Sequence, residues 1–146
     1  MLPALARGRG FTLFELLAVI VLIGVAAGIV GVAVNRGLQA AGERQALSRI
    51  VDSLRAARVQ ATVSGQPART RFDLRARTVQ APGKPPVRWP DSLRVELHTA
   101  EHLGAAFEFY PDGGASGGHV LVSRGSSRWR IDVAWLTGVV QMRAFE

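Results

Sequence analysis

An uninterrupted apolar run dominates the amino-terminal part of the chain. From Leu16 to Val34, nineteen consecutive residues carry no charged or strongly polar side chain. As a helix, such a run is about 28 Å long, close to the hydrocarbon thickness of a bilayer. From Asn35 onward the composition is that of an ordinary soluble domain of about 110 residues. The sequence therefore predicts one membrane-spanning helix followed by a single globular domain.

The alternative for this run is a secretory signal peptide that is removed. Arg7 and Arg9 supply the basic start of such a signal. However, the run exceeds the roughly 7–15 apolar residues of a signal, and no Ala-x-Ala cleavage site follows it. We therefore interpret the run as a retained anchor. Because Arg36 and Arg44 follow the run just as Arg7 and Arg9 precede it, the distribution of charge leaves its orientation undecided.

The net charge of +7 restricts the classes of partner. Seventeen arginines and Lys84 carry the positive charge, but they are dispersed among acidic residues and form no long run. We therefore expect these basic side chains to lie on solvent-exposed surfaces, and we expect no nucleic-acid partner. The chain has no cysteine, which excludes disulfides and cysteine-based metal sites, and no cofactor is expected.

A helical stripe follows the apolar run. Apolar residues recur at the spacing of one helix face, namely at Leu47, Ile50, Val51, Leu54, Ala57 and Ala61. The sequence Gly65-Gln66-Pro67 ends the pattern, so a single helix is predicted from about Thr12 to Ser64. Within its apolar half, Gly24 and Gly28 form a G-x-x-x-G pair, which is either a face for close helix packing or the ordinary small-residue content of a membrane helix.

After Pro67 the apolar period changes to two, which predicts strands. Trp129, Ile131, Val133 and Trp135 are expected on one face of such a strand. Gly-rich and Pro-rich segments separate the strands. The predicted fold class is α+β, in which one mostly antiparallel sheet of about five to seven strands packs on the stripe of the helix.

Catalytic patterns are weak in this chain. Residues 114–118 fit the G-x-S-x-G of a hydrolase elbow, but strands are predicted on both sides, and only the adjacent His119 follows as a base. His98, His102 and His119 lack the helical spacing of a metal site and are interpreted as surface residues. Acidic residues are scattered singly. We therefore expect neither an enzyme nor a metal centre.

The stretch "GFTLFELLAVIVLIGV" (10–25) closely resembles the amino terminus of type IV pilins and of the pseudopilins of type II secretion. The resemblance implies a leader of residues 1–10 that a prepilin peptidase removes after Gly10. It also implies a methylated amino terminus at Phe11 and a family acid at Glu15. Residues 11–35 would be the transmembrane and filament-core helix. Residues 36–146 would form a periplasmic head, anchored through the inner membrane by this single pass.

The resemblance suggests a role for the lone acid of this helix. Cleavage would create a positive amine at Phe11, four residues before the Glu15 carboxylate. An unpaired buried ion costs several kcal/mol in a low-dielectric bundle. We therefore hypothesise that Glu15 of an incoming subunit pairs with the amine of its neighbour and fixes the register between the two helices.

The carboxy-terminal stretch "FEFYPDGGASGGHVLVSRGSSRWRIDVAWLTGVVQ" (107–141) resembles the pattern of the minor pseudopilin H and minor pilin T group. The match is carried by Phe109, Pro111, Asp112, Gly113, Ser116, Gly117, Gly118, Trp129, Leu136, Thr137 and Gly138. Two departures stand out. Val139 and Val140 replace the Arg that many members have after Thr-Gly, and the last five residues contain only one Arg, whereas some pilus-type members hold DNA with a basic segment there.

Together the two resemblances imply a minor pseudopilin at or near the tip of a type II secretion pseudopilus. Its partners would be other pseudopilins, the prepilin peptidase and the inner membrane. The glycine-rich loop 111–118 is a candidate for partner contact. The alternative is a minor type IV pilin that acts in pilus assembly or in DNA uptake.

Overall fold

A computed structural model describes residues 11–145 of the chain. The chain divides into two compact units, the first ending at Gln39 and the second beginning at Ala40. Helix α1 (Leu13–Ser64) runs through both. Thr12 caps its start, since its Oγ1 accepts a hydrogen bond from the backbone N–H of Glu15 at 3.2 Å. At the other end, Gly65 N–H donates to the carbonyl of Ala61, so both predicted helix ends are confirmed.

In the first unit, the described residues 11–39 are all exposed. The most apolar 18-residue window of α1 has a mean hydropathy of 2.9, and none of it is buried. The helix is therefore long and apolar enough to cross a membrane, as the sequence predicts.

The second unit contains eight strands and one short 3₁₀ helix. They are β1 (Ala68–Asp73), β2 (Thr78–Gln80), β3 (Val87–Arg88), β4 (Arg94–His98), the 3₁₀ helix η1 (Glu101–Leu103), β5 (Ala106–Phe109), β6 (Gly118–Arg124), β7 (Ser127–Val133) and β8 (Val140–Phe145). The first sheet has the order β3-β2-β1-β5, and the second has the order β4-β6-β7-β8. All strand pairs are antiparallel.

The prediction of one sheet is wrong, because the strands form two. The chain leaves the first sheet after β3, returns to it at β5 and leaves it again at β6. Alternation along a strand reports which side chains face inward, but it does not report which strand lies alongside. The division into two sheets is therefore decided by pairings between segments distant in sequence.

Both sheets share one core with α1. All six residues of the predicted stripe are buried, and Leu54 is 0% exposed. Phe72, Phe107 and Phe109 reach this core from the first sheet, and Val120 and Ile131 reach it from the second. Phe72 lies edge-on to Phe107 with ring centroids 5.9 Å apart, an arrangement that aromatic pairs favour.

The predicted apolar face of β7 is only partly correct. Ile131 and Val133 are buried, and Trp129 packs against the core at its margin. Trp135 is 70% exposed, because β7 ends at Val133 and the chain turns at Ala134. Ala134 N–H donates to the carbonyl of Val139, which closes this turn. Trp135 therefore lies in a loop, where the period of a strand no longer applies.

Candidate functional site

The predicted assembly residues of the first unit lie at the start of α1. Phe11 precedes the helix and is 72% exposed. Glu15 is exposed in the first turn of the helix, where a negative charge interacts favourably with the helix dipole. Gly10, the predicted cleavage position, lies outside the described residues. The exposed Glu15 carboxylate can therefore pair with a charged group of another molecule.

Gly24 and Gly28 lie on one face of the same helix, one turn apart. Among the described residues, no atom lies within 4 Å of a Cβ built at either position, beyond the helix's own backbone and sequence neighbours. The side of the helix at these positions is flat and open, as close helix packing requires. Its use for packing remains a prediction.

The carboxy-terminal motif residues meet mainly in one place, which we call the loop junction. It consists of residues 110–118, which run from the end of β5 to the first residue of β6, and residues 134–139, between β7 and β8. Ala115 N–H donates to the carbonyl of Trp135 at 2.8 Å, which joins the two loops. Ala115 also forms a β-bridge with Phe109, which joins the first loop to the first sheet.

The Pro-Asp-Gly part of the motif forms a tight turn. Gly113 N–H donates to the carbonyl of Tyr110 at 3.0 Å, and Tyr110 N–H donates to the carbonyl of Gly114 at 3.0 Å. The Asp112 carboxylate accepts the N–H of Gly114, also at 3.0 Å. Asp112 thus satisfies a backbone N–H of its own turn, the usual role of Asp at such a position. Pro111 and Asp112 remain exposed.

Ser116, the serine of the G-x-S-x-G match, also has a structural role. Its Oγ accepts the N–H of Glu108 at 3.2 Å, and its own N–H donates to the carbonyl of Glu108 at 2.8 Å. The serine therefore holds the loop against the free edge of β5. It lies between two strands and so lacks the strand-to-helix turn of a hydrolase elbow.

Two motif glycines are explained by close backbone approach. Gly138 has φ +61°, and a Cβ there would overlap the carbonyl oxygen of Gly113 and lie 3.1 Å from Nε of Arg58. Gly118 has φ +113°, and a Cβ there would overlap the carbonyl oxygen of His98. Both the positive φ and the lack of space favour glycine at these positions. These contacts connect the two loops, the end of β4 and helix α1.

The motif residues differ in exposure. Gly117 is buried, and a Cβ there would lie 2.9 Å from Cβ of Trp135. Leu136 is 68% exposed, and Thr137 is also exposed. Trp129 lies outside the loop junction, paired with Ala144 and Val122 in the second sheet. Most of the motif therefore builds the junction, and its exposed motif side chains are Pro111, Asp112, Leu136 and Thr137, next to the exposed Trp135.

One partly buried ionic contact was not predicted from the sequence. The Glu43 carboxylate on α1 is buried, accepts a hydrogen bond from Oγ of Ser92 at 2.7 Å and pairs with Arg124. The hydrogen bond from Ser92 and the charge of Arg124 together lower the pKa of Glu43 despite its burial. A signal was present, because Glu43 precedes Leu47 by one helical turn and so continues the apolar stripe with a carboxylate.

The histidines are distributed between a strand pair and a helix. His98 and His119 stack across β4 and β6 with ring centroids 4.3 Å apart, and His102 lies on η1. Desolvation and the charge of Arg130 lower the pKa of His119. Among residues 11–145, no group of three or more His, Asp or Glu is arranged to hold a metal ion.

Comparison with known proteins identifies a motif at the amino terminus and relatives that match most of the chain. Residues 5–31 match the family described as "Prokaryotic N-terminal methylation motif". The type II secretion system protein H of Xanthomonas campestris pv. campestris is 34% identical over 138 residues, which cover 91% of this chain and 82% of that protein. The protein of the same name from Escherichia coli is 34% identical over 82 residues, or 56% of this chain and 48% of that protein.

Solved structures show the same fold. The minor pseudopilin EpsH of the type 2 secretion system of Vibrio cholerae matches with a TM-score of 0.53 at 14% identity, over 70% of this chain and 96% of that one. The type IV minor pilin FimU of Pseudomonas aeruginosa matches with a TM-score of 0.51 at 13% identity, over 68% and 91%. The predicted pilin-like fold is thereby confirmed. The chain belongs to the family of type II secretion system protein H.

Proposed function

We propose that this chain is a low-copy subunit at or near the tip of a periplasmic pseudopilus that supports the export of folded proteins across the outer membrane. Membership of the family and the apolar helix make it a membrane-anchored subunit that assembles with other pseudopilins after processing by the prepilin peptidase. The finer features, namely cleavage after Gly10, methylation of Phe11 and a head in the periplasm, belong to this proposal. So does the absence of enzymatic activity.

One observation supports assembly through the helix. Between Phe11 and Asn35, Glu15 is the single ionisable side chain, and it is exposed on a helix with no apolar cover among the described residues. A membrane or a bundle of other helices would cover this surface in the filament. Since an isolated carboxylate is costly in either environment, its presence in this helix favours a partner cation.

The new amine of a neighbouring subunit fits this requirement. Removal of residues 1–10 would place one positive charge at Phe11 of each subunit. The apolar helices could slide past one another with little change in contact, whereas one offset alone brings the carboxylate and the amine together. The pair therefore sets the register of subunit addition.

The test compares Glu15→Ala with Glu15→Asp and with the matched control Leu22→Ala in the same helix. We expect all three variants to insert in the membrane and to be cleaved. Only Glu15→Ala should fail to enter the filament, measured by sheared pseudopilus fractions and by export, whereas Glu15→Asp should retain partial incorporation. Normal incorporation of Glu15→Ala would refute the register function.

The processing step is tested separately by mass spectrometry of the mature protein. The expected mature chain begins at Phe11 and carries one added methyl group. A chain that still begins at Met1, or that begins beyond Val25, would contradict the proposed maturation.

Ion pairs within the described residues neutralise part of the positive charge, which weighs against a DNA-binding pilin. Several arginines are engaged by carboxylates, namely Arg69, Arg77, Arg88, Arg124 and Arg130. Titration of the full-length protein with duplex DNA at two salt concentrations discriminates the alternatives, because phosphate contacts give a steep dependence on salt. Salt-sensitive binding at micromolar concentration would favour the DNA-binding alternative.

A further inference from the structure

A groove lies between helix α1 and strand β8. In the register of the second sheet, Met142 is directly opposite Ile131, so the two side chains share the inward face. Ile131 is fully buried, whereas Met142 is 46% exposed. The apolar inner face of the sheet therefore extends beyond the part that the described chain covers.

The walls of this groove are apolar and its rims are basic. Leu47 and Val51 line it from the helix, and Trp129 and Met142 line it from the sheet, around a volume of about 590 Å³. Arg44 and Arg55 lie at its rims. Their positions on α1 are separated by about 16 Å along the helix axis. The first and fifth residues of an extended segment are about 13 Å apart, a separation close enough for flexible acidic and Arg side chains to meet.

Strand β8 presents an open edge beside the groove. It is terminal in the second sheet, so one side of its backbone has no strand partner among residues 11–145. Arg55 Nη2 lies 3.5 Å from the carbonyl oxygen of Val140, which places this arginine beside the first residue of the strand. An open edge next to an apolar groove is the geometry in which a sheet accepts an additional strand.

The arginines at the groove indicate the charge of the segment that it binds. Within residues 11–145, neither Arg44 nor Arg55 forms an ion pair with a carboxylate. Asp52, which also lines the groove, accepts a hydrogen bond from Oγ of Ser48 at 3.2 Å. The rims are therefore net positive. A second copy of this chain would bring two positive rims together, whereas acidic side chains would compensate them.

We propose that this groove binds an extended segment of another protein, in which two acidic side chains flank an apolar one at alternate positions. The segment adds a fifth strand to the second sheet at β8. Its central side chain contacts Val51 and Met142, and its acidic side chains pair with Arg44 and Arg55. That the segment belongs to another pseudopilin rests on the proposed function, whereas the binding itself does not.

The test uses the full-length protein in lipid nanodiscs and two labelled peptides, one containing Glu-Thr-Val-Thr-Glu and one containing Lys-Thr-Val-Thr-Lys. Fluorescence anisotropy should show that the Glu peptide binds the unmodified protein about tenfold more tightly, as expected for two exposed ion pairs. The double variant R44E/R55E should reverse this preference. A gain of binding by the Lys peptide cannot arise from unfolding.

The matched control is Arg49→Glu, which makes the same charge change on the same helix but at a residue that does not line the groove. It should keep the preference for the Glu peptide, as should Glu15→Ala, so the groove is tested independently of filament assembly. An unchanged preference in R44E/R55E, or no saturable binding of either peptide, would overturn the proposal.

Discussion

Substitution of Gly138 by alanine tests the loop junction most directly. The new Cβ would overlap the carbonyl oxygen of Gly113 and press on the Arg58 side chain. The residue would also have to keep φ +61°. The substitution therefore combines backbone strain with a steric conflict between two loops that are distant in sequence.

The magnitude follows from these two effects. A non-glycine residue in the left-handed region costs about 1–2 kcal/mol. Forcing a methyl group into a packed site costs about 1–3 kcal/mol more. The sum, about 2–5 kcal/mol, should lower the Tm of a domain of this size by roughly 10–20 °C.

The matched control is Gly125→Ala. Gly125 has φ +54°, but no atom lies within 4 Å of a Cβ built there, so the control carries the backbone strain without the conflict. All three tryptophans of the chain (Trp89, Trp129 and Trp135) lie in the second unit, so intrinsic fluorescence in micelles follows its thermal unfolding. If Gly138→Ala and Gly125→Ala had the same Tm, the contact with Gly113 would not be what requires glycine.

Two further predictions concern the core. Glu43→Gln should cost about 1–2 kcal/mol at pH 7, because it removes the charge that Ser92 and Arg124 stabilise. Since the pKa of Glu43 is lowered in the folded state, its contribution is complete above the unfolded value of about 4.3 and is lost as the pH falls through the folded pKa. The stability difference between Glu43→Gln and the unmodified protein, measured by urea unfolding, should therefore shrink between pH 7 and pH 3, and a constant difference would contradict this ionic role. Leu54→Ala should lower the free energy of unfolding by about 2–5 kcal/mol in the same assay, because Leu54 is fully buried. The control Val59→Ala, at a position 62% exposed, should change it by less than about 0.5 kcal/mol. Equal losses in the two variants would disprove the assignment of the buried helix face.

The motif at the carboxy terminus illustrates the limit of sequence comparison. The pattern identifies which residues belong together, but it does not distinguish a partner surface from an internal contact. In the structure Gly114 and Gly117 are buried beneath the turn at Trp135, while Pro111 and Asp112 are exposed. Contact with a partner through loop 111–118 therefore remains a prediction, and its exposed portion is small.

The sequence by itself determined the features that depend on neighbours along the chain. The apolar run, the helix ends at Thr12 and Gly65 and the buried stripe around Leu54 all follow from local periodicity and capping. Tertiary structure alone decided the division into two sheets, the exposure of Trp135 and the pairing of Glu43 with Arg124. The physical reason is that these features depend on backbone pairings and side-chain contacts between segments distant in sequence. The periodicity of apolar residues within a segment does not determine which distant segment it contacts.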